Sequence, residues 1–587
     1  MILQALNQLY EYLAAHSLVE EPGWTRSKIS YGLDLGDDGD IVGVYTLKEP
    51  DKKGKPVPSM VKTPIAPKRT VGIEPVFLFD SPTYLLGIDA KGKPERTREC
   101  FEACKALHLD VLSGVDTPAA RAIKTYFATW NPDAAHEHPE LKGYLEDMLT
   151  GVNLIFYYHS RTVTEDTEIC RAWQRHYDGG EGEQVRCLVT GEMARVARIH
   201  PPIKGVRGGQ SSGTALVSFN APAFESFGRE QGMNAPIGEH AAFAYTTALN
   251  YLIADREHQQ MIGDTVIVMW SESGEAVYQD VGMAAFDLSE DAALTGEEAQ
   301  QAISGAIKKL SRGEVADWKG IHIDPSVQYY IFGFSPNAAR LSVRFFLQNT
   351  FGHFIQNAER HRKDMEIARP SFDRFEHLSL WRMLQETVNM NSRDKSPQKQ
   401  MAGDTLRAIL TDTRYPATLI NAVELRILAE STVTRGRAAI IKAYYLKNKG
   451  LPTEVLTVEL NRKCDYMPYV LGRLFSVLEQ TQEKANGTAT IQNRYINSAA
   501  ATPSVIFPRL ISLAKNHLSK LDTGFQIGFE KQITELMGVI HEPLPARMTQ
   551  AERGAFQLGY YHEQQYRYTK KEDREDKKNE RTDPEQV

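Results

Sequence analysis

Between residues 200 and 252 the chain gathers the side chains whose types and spacing best suit chemistry. Lys204 and Arg207 flank a loop that also holds Gly205, Gly208, Gly209 and Gly213. Glycine accepts unusual backbone angles and lets another molecule approach the main chain, so a basic glycine loop suits a phosphate or a nucleic-acid strand. Two catalytic readings of the same residues fail on context. Gly209, Gln210, Ser211, Ser212 and Gly213 match the serine nucleophile elbow, but that motif needs a strand before the serine and a helix after it, and a strand pattern follows here. The spacing of Gly208 and Gly213 is that of a phosphate-binding loop of nucleotide hydrolases, yet Thr214 stands where the lysine is required. No HExxH and no His-Asp dipeptide occurs. His136 and His138 flank Glu137 in an acidic stretch that reads as a solvent loop. The chain is therefore expected to be no enzyme, with no cofactor and no metal site. The alternatives left open are a nuclease or hydrolase built on His200 or Ser211, and a purely structural scaffold.

Several elements must position the loop. From Thr214 the apolar side chains Ala215, Val217 and Phe219 alternate with polar ones, which predicts a half-buried strand over 214–220. Residues 220–238 are irregular and rich in Asn, Pro and Gly, and 239–252 carries helical apolar spacing. The order is basic glycine loop, strand, polar loop, helix. Asn220 and Asn234 sit in the polar loop, where their amides either cap their own turns or reach outward.

A chain of 587 residues has room for about two to four domains. No apolar run approaches the roughly 18 to 20 residues of a membrane helix, which predicts a cytoplasmic protein with no membrane partner. Five cysteines without paired knuckles form neither a disulfide framework nor a zinc site. Cys100 and Cys104, four apart on a helical pattern, read as idle thiols. A net charge of -7 argues against indiscriminate coating of nucleic acid, because such binding is mostly phosphate neutralisation by Lys and Arg. Contacts with DNA or RNA must come from local patches.

Two patches stand out. Residues 51–69 are rich in Lys, Pro and Gly, with Lys68 and Arg69 nearest a strand predicted at 76–79. From 393 to 449 basic residues outnumber acidic ones, which reads either as a phosphate-facing surface or as a solvated helix face. Asp34, Asp37, Asp38 and Asp40 read as a hairpin turn, because a calcium loop would need ligands where Gly36 and Tyr45 stand.

The overall expectation is an α+β protein. A mixed α/β region with an antiparallel-rich sheet spans 1–335, a helical connector with a basic surface 336–450, and a C-terminal four-helix bundle 451–569. A charged tail over 570–587 is expected to be disordered. Ser335-Pro336 reads as a helix start, so a helix is predicted over 338–360. Thr549 and Glu552 predict a capping box for the last helix.

Four stretches carry a family resemblance: IHPPIKGVRGG at 199–209, ALVSFNAPAFESFGREQGMNAPI at 215–237, FSPNAARLSVRFF at 334–346 and KRTVGIEPVFLFDSPTYLLG at 68–87. Together with the helical C-terminus, they resemble the large subunit of the type I-C CRISPR interference complex, Cascade, over essentially the whole chain. The resemblance implies a non-catalytic subunit that recognises the short flanking PAM in double-stranded DNA, promotes strand opening and guide RNA pairing into an R-loop, and helps recruit the helicase-nuclease. Implied partners are the guide RNA complex, the target duplex, the backbone and guide-end-binding subunits and copies of a small subunit. On this view Lys68, Arg69, Lys204 and Arg207 would hold phosphates, Gly208 and Gly209 would admit the loop to a groove, Gln210, Asn220 and Asn234 would meet base edges, and Ser211 would be a further DNA contact. The resemblance also implies an internal translation start that makes the C-terminal bundle separately, with Met467 as the candidate.

Overall fold

The computed structural model describes residues 1–50, 54–67, 72–90, 92–179, 182–286, 297–373, 375, 377–488 and 490–568, without the side chains of 297–301. Lys68, Arg69 and the 570–587 tail therefore lie outside the described residues. The chain divides into two compact units, one made of Leu3–Pro201 and Ser218–Ala248, the other of Pro202–Val217 and everything from Leu249 onward.

The first unit opens with the helix Ile2–Ala15, whose apolar stripe buries Leu6, Leu9, Tyr10 and Leu13. Its five-stranded sheet runs Ile41–Thr46, Tyr31–Leu35, Leu154–Tyr158, Phe79–Asp80, with Arg161–Thr162 hung on the third. Tyr31–Leu35 pairs in parallel with Leu154–Tyr158, so the chain needs a long crossover, and the helices Pro94–Val111 and Pro118–Thr129 supply it. Leu33, Leu35, Phe77, Phe101, Ile123, Phe127 and Phe156 pack beneath as one core. The predicted strand at 76–79 shrinks to Phe79–Asp80, because Leu78 takes a positive φ of 65° and its N–H is spent on buried His108 Nε2 at 2.8 Å. His108 donates in turn from Nδ1 to the Cys104 carbonyl at 2.7 Å. Burial pushes its pKa down to about 4.

The second unit holds a four-stranded antiparallel sheet in the order Gln260–Ile262, Thr265–Ser271, Gln328–Asn337, Arg340–Thr350. The helix predicted over 338–360 is thus corrected. Residues Arg340–Thr350 are the second strand of a hairpin, and only Phe351–Asp364 is helical. Ala338, in the two-residue turn, has a φ of 53°, which a helix forbids and a tight hairpin requires. The change from strands to helices accordingly falls at Thr350.

Beyond it the chain is helical. Among the described residues the C-terminal region has five helices: Met467–Asn486, Ile491–Ala501, Pro503–Leu518, Thr523–Gly538 and Gln550–Tyr568. That is one helix more than the four expected from the sequence. The predicted capping box is formed: the Glu552 carboxylate accepts from Thr549 N at 2.6 Å, and Glu552 N donates to Thr549 Oγ1 at 3.3 Å. The first and last of these helices touch backbone to backbone. A Cβ on Gly472 would overlap the Phe556 carbonyl, and one on Gly559 would overlap the Tyr469 carbonyl. Their seam is polar as well as tight, with Arg473 against Glu563 at 2.8 Å, Tyr560 donating to Glu479 at 2.8 Å and Tyr469 Oη 2.9 Å from His562 Nδ1.

Candidate nucleic-acid interface

The glycine loop belongs to the second unit. Ile203 and Thr214 close it by exchanging backbone hydrogen bonds of 2.8 and 2.7 Å. Thr214 Oγ1 adds a third to the Ile203 carbonyl at 3.1 Å. The strand expected over 214–220 does not form. Ala215 alone extends the pairing, donating to the Ala339 carbonyl and accepting from Leu341 N at 2.9 Å each, so it sits beside the hairpin turn. Residues 215–219 are all half-buried instead of alternating between core and solvent, and among the described residues the pairing of Thr214 and Ala215 is not continued into the ladder that a strand requires.

Inside the loop two turns are closed by Gly209 N to the Val206 carbonyl and Gly213 N to the Gln210 carbonyl, both 3.0 Å. Val206, 8% exposed, anchors the base. Asn250 staples the entry: its Oδ1 accepts from Lys204 N at 2.7 Å and its Nδ2 donates to the Pro202 carbonyl at 3.2 Å. Gly213 has a φ of 109°, and a Cβ there would lie 2.6 Å from the Pro202 Cβ, so only glycine fits. Lys204, Arg207, Gly208, Gln210 and Ser211 are exposed on this pinned frame, while Gly209 is half-buried. Ser211 has no following helix, and the elbow geometry of a serine hydrolase is not built.

Beside the loop, Arg207, Arg256, Gln259, Gln260, Met261 and Val266 line a cleft of about 200 Å³. Arg256 donates from Nη1 to Gln259 Oε1 at 2.7 Å and from Nη2 to the Gly205 carbonyl at 3.5 Å. No carboxylate is among the lining residues. Sequence reasoning did not single out Arg256, Gln259 or Gln260; the signal was a guanidinium and two amides within six residues of the helix end at Ala254.

Asn220, exposed, and Asn234 belong to the first unit. The Asn234 side chain braces its own loop, accepting from Ser226 N at 2.8 Å and donating to the carbonyls of Arg229 at 2.8 Å and Gln231 at 3.0 Å. What the brace presents was invisible in the sequence: Phe227 is 99% exposed, with a φ of 57°. His200, in the same unit, lies 2.7 Å through Nδ1 from Tyr245 Oη. Burial pushes its pKa down to about 4, so it is neutral at pH 7.

The basic excess at 393–449 turns partly inward. Arg435 pairs with Asp373 at 2.8 Å, Lys447 with Asp412 at 2.9 Å, and Arg437 with Glu430 and, at 3.4 Å, Glu386. Lys442 is buried and donates to the Asp364 carbonyl at 2.8 Å. Burial lowers the pKa of Lys442 and Lys447. Arg393, Lys395, Lys399, Arg407 and Arg414 stay exposed. Among the described residues no group of three or more His, Cys, Asp or Glu side chains is arranged to hold a metal ion, and no helix is long and apolar enough to cross a membrane.

These features define an α+β protein that carries an exposed basic glycine loop on a frame of backbone hydrogen bonds. The chain belongs to a CRISPR-associated family: the model described as CRISPR-associated protein (Cas_Csd1) matches residues 6–568. No curated protein matches it.

Proposed function

We propose that the chain is the non-catalytic large subunit of a type I-C Cascade complex, which inspects the PAM in duplex DNA and promotes pairing of the target with the guide RNA. The observation that carries this is the glycine loop, whose cations and amide project from a backbone pinned at both ends beside a cleft lined by arginines and free of acids. Lys204 and Arg207 hold phosphates and fix register, while Gln210 meets a base edge. In a chain of net charge -7, such a patch confines DNA to one place.

Phe227 supports the strand-opening role. Apolar wedges inserted at a base step unstack it and kink the duplex. A benzyl group fully in water, on a loop braced by three hydrogen bonds to Asn234, is ready for that use. The proposed partners are the guide RNA, the target duplex, the backbone and guide-end-binding subunits, small-subunit copies and the recruited helicase-nuclease. Met467, the first residue of its helix, is the proposed internal start of a separate C-terminal product.

The test is binding of the guide-loaded complex to target duplexes with varied flanking bases. Lys204→Ala/Arg207→Ala should weaken all sequences alike and reduce the salt slope by about 2, one per lost phosphate contact. Gln210→Ala should lose about 1 to 3 kcal/mol on the preferred flank and relax the preference. Unchanged affinity and slope in the double variant would remove the loop from the interface. Cleavage of DNA by the isolated chain, abolished in Ser211→Ala, would replace the proposal with a hydrolase.

A further inference from the structure

The cleft beside the glycine loop contains a polar mismatch. Gln259 Nε2 is buried and has no hydrogen-bond partner, although an unmade bond at a buried amide is costly. The amide cannot simply be turned round, because Arg256 donates to Oε1 at 2.7 Å and a guanidinium has no acceptor to offer the nitrogen. The cleft therefore holds a donor in want of an acceptor. Arg207 and Arg256 are exposed at its edge, and Met261, 40% exposed, supplies an apolar surface. Two guanidinium groups, carboxamides and a thioether, with no acid among them, are complementary to one nucleotide: a phosphate for the arginines, a base edge with an acceptor for the amide, and a base face for the methionine.

We propose that this cleft is a nucleotide subsite in which Arg207 and Arg256 grip a backbone phosphate while the Gln259 amide reads the adjacent base. The assignment rests on the reading of the chain as a DNA-contacting subunit. In the free protein Arg256 is parked on Gln259 Oε1 and, at 3.5 Å, on the Gly205 carbonyl. A phosphate between the two arginines draws Arg256 outward, because a charge-assisted bidentate contact is stronger than its bonds to two neutral oxygens. Gln259 is uncovered by that movement, and its donor becomes accessible only when a phosphate is present. Base reading is thereby coupled to backbone contact, and a loose base or a free nucleoside gains nothing.

The experiment uses the guide-loaded complex and a duplex pool randomised over the bases flanking the guide-matched stretch, with bound fractions sequenced across a salt series. Arg256→Ala should weaken every sequence and lower the slope of log affinity against log salt by about 1. Gln259→Met, which keeps length and removes the donor, should leave that slope intact while flattening the preference at one flanking position, with on the order of tenfold loss on the preferred base. Thermal unfolding of both variants is measured alongside, and Gln259→Leu, which also removes the donor, serves as a second variant if Gln259→Met unfolds early. A wild-type complex that binds and discriminates, with variants that do the same, overturns the subsite and leaves the wider reading standing. A wild-type complex with no affinity for the duplex overturns both.

Discussion

Gly213→Ala probes whether the loop works because it is rigid. The substitution puts a Cβ 2.6 Å from the Pro202 Cβ and 3.3 Å from the Ile203 carbonyl oxygen, at a φ of 109°. Holding an L-residue there costs about 1 to 3 kcal/mol in backbone strain, and overpacking adds about 1 to 3 more. The chain has a cheaper escape. Releasing the two Ile203–Thr214 backbone bonds and the Thr214 hydroxyl bond to the Ile203 carbonyl costs about 1 kcal/mol each. The loop should therefore open rather than stay strained, which caps the loss of global stability at about 3 kcal/mol. Binding suffers differently, since the side chains of Lys204, Arg207 and Gln210 must be re-ordered at about 0.5 to 1.5 kcal/mol each. Affinity for the target duplex should fall by roughly tenfold or more, and the amides of Ile203 and Thr214 should lose protection in hydrogen exchange. Retained protection at both amides together with wild-type affinity would refute the reasoning.

Other perturbations separate architecture from function. Gly559→Ala drives a methyl group into the Tyr469 carbonyl and must push apart the pair of helices whose seam buries Arg473, Glu563 and His562; it should destabilise the chain by about 3 kcal/mol or more in urea unfolding. Phe227→Ala removes a side chain that touches water, so unfolding should be unchanged, while opening of an intact duplex, followed by permanganate reactivity of thymines, should drop and binding to a pre-opened target should not. Burial opposes charge on His258, but hydrogen bonds to Asp255 at 2.6 Å and Asp280 at 2.8 Å outweigh it and hold the pKa above 6.5. Because the folded value is the higher one, this stabilisation is complete below about pH 6.5 and is lost as pH rises through the folded value; His258→Gln should flatten that decline in a thermal scan against pH. At the acid end burial holds His361 and His562 near a pKa of about 3, so stability should fall as pH drops below about 6.5, where the unfolded chain takes up protons that the folded chain refuses.

What the sequence determined by itself was whatever is local. The stripe of Leu6, Leu9 and Leu13, the Thr549–Glu552 cap and the branched run of Thr265–Ser271 each impose their element through neighbours within a few residues. Glycine at 213 and cations at 204 and 207 marked the loop, because residue type alone limits which backbone angles and charges are possible there. The tertiary structure decided the rest. Ser335-Pro336-Asn337 suits a helix start as well as a hairpin, and pairing with Ser342, Leu341 and Arg340 settles it as a strand. Arg435 and Lys447 looked like surface cations until the fold brought them to Asp373 and Asp412, residues 62 and 35 positions away. Phe227 reads as core in any composition count, and only the brace from Asn234 leaves it in water. Gln259 reads as an ordinary amide, and only the placement of Arg256 leaves its nitrogen without an acceptor. In each case the deciding quantity is distance between residues remote in sequence, which no local pattern of hydropathy or propensity encodes.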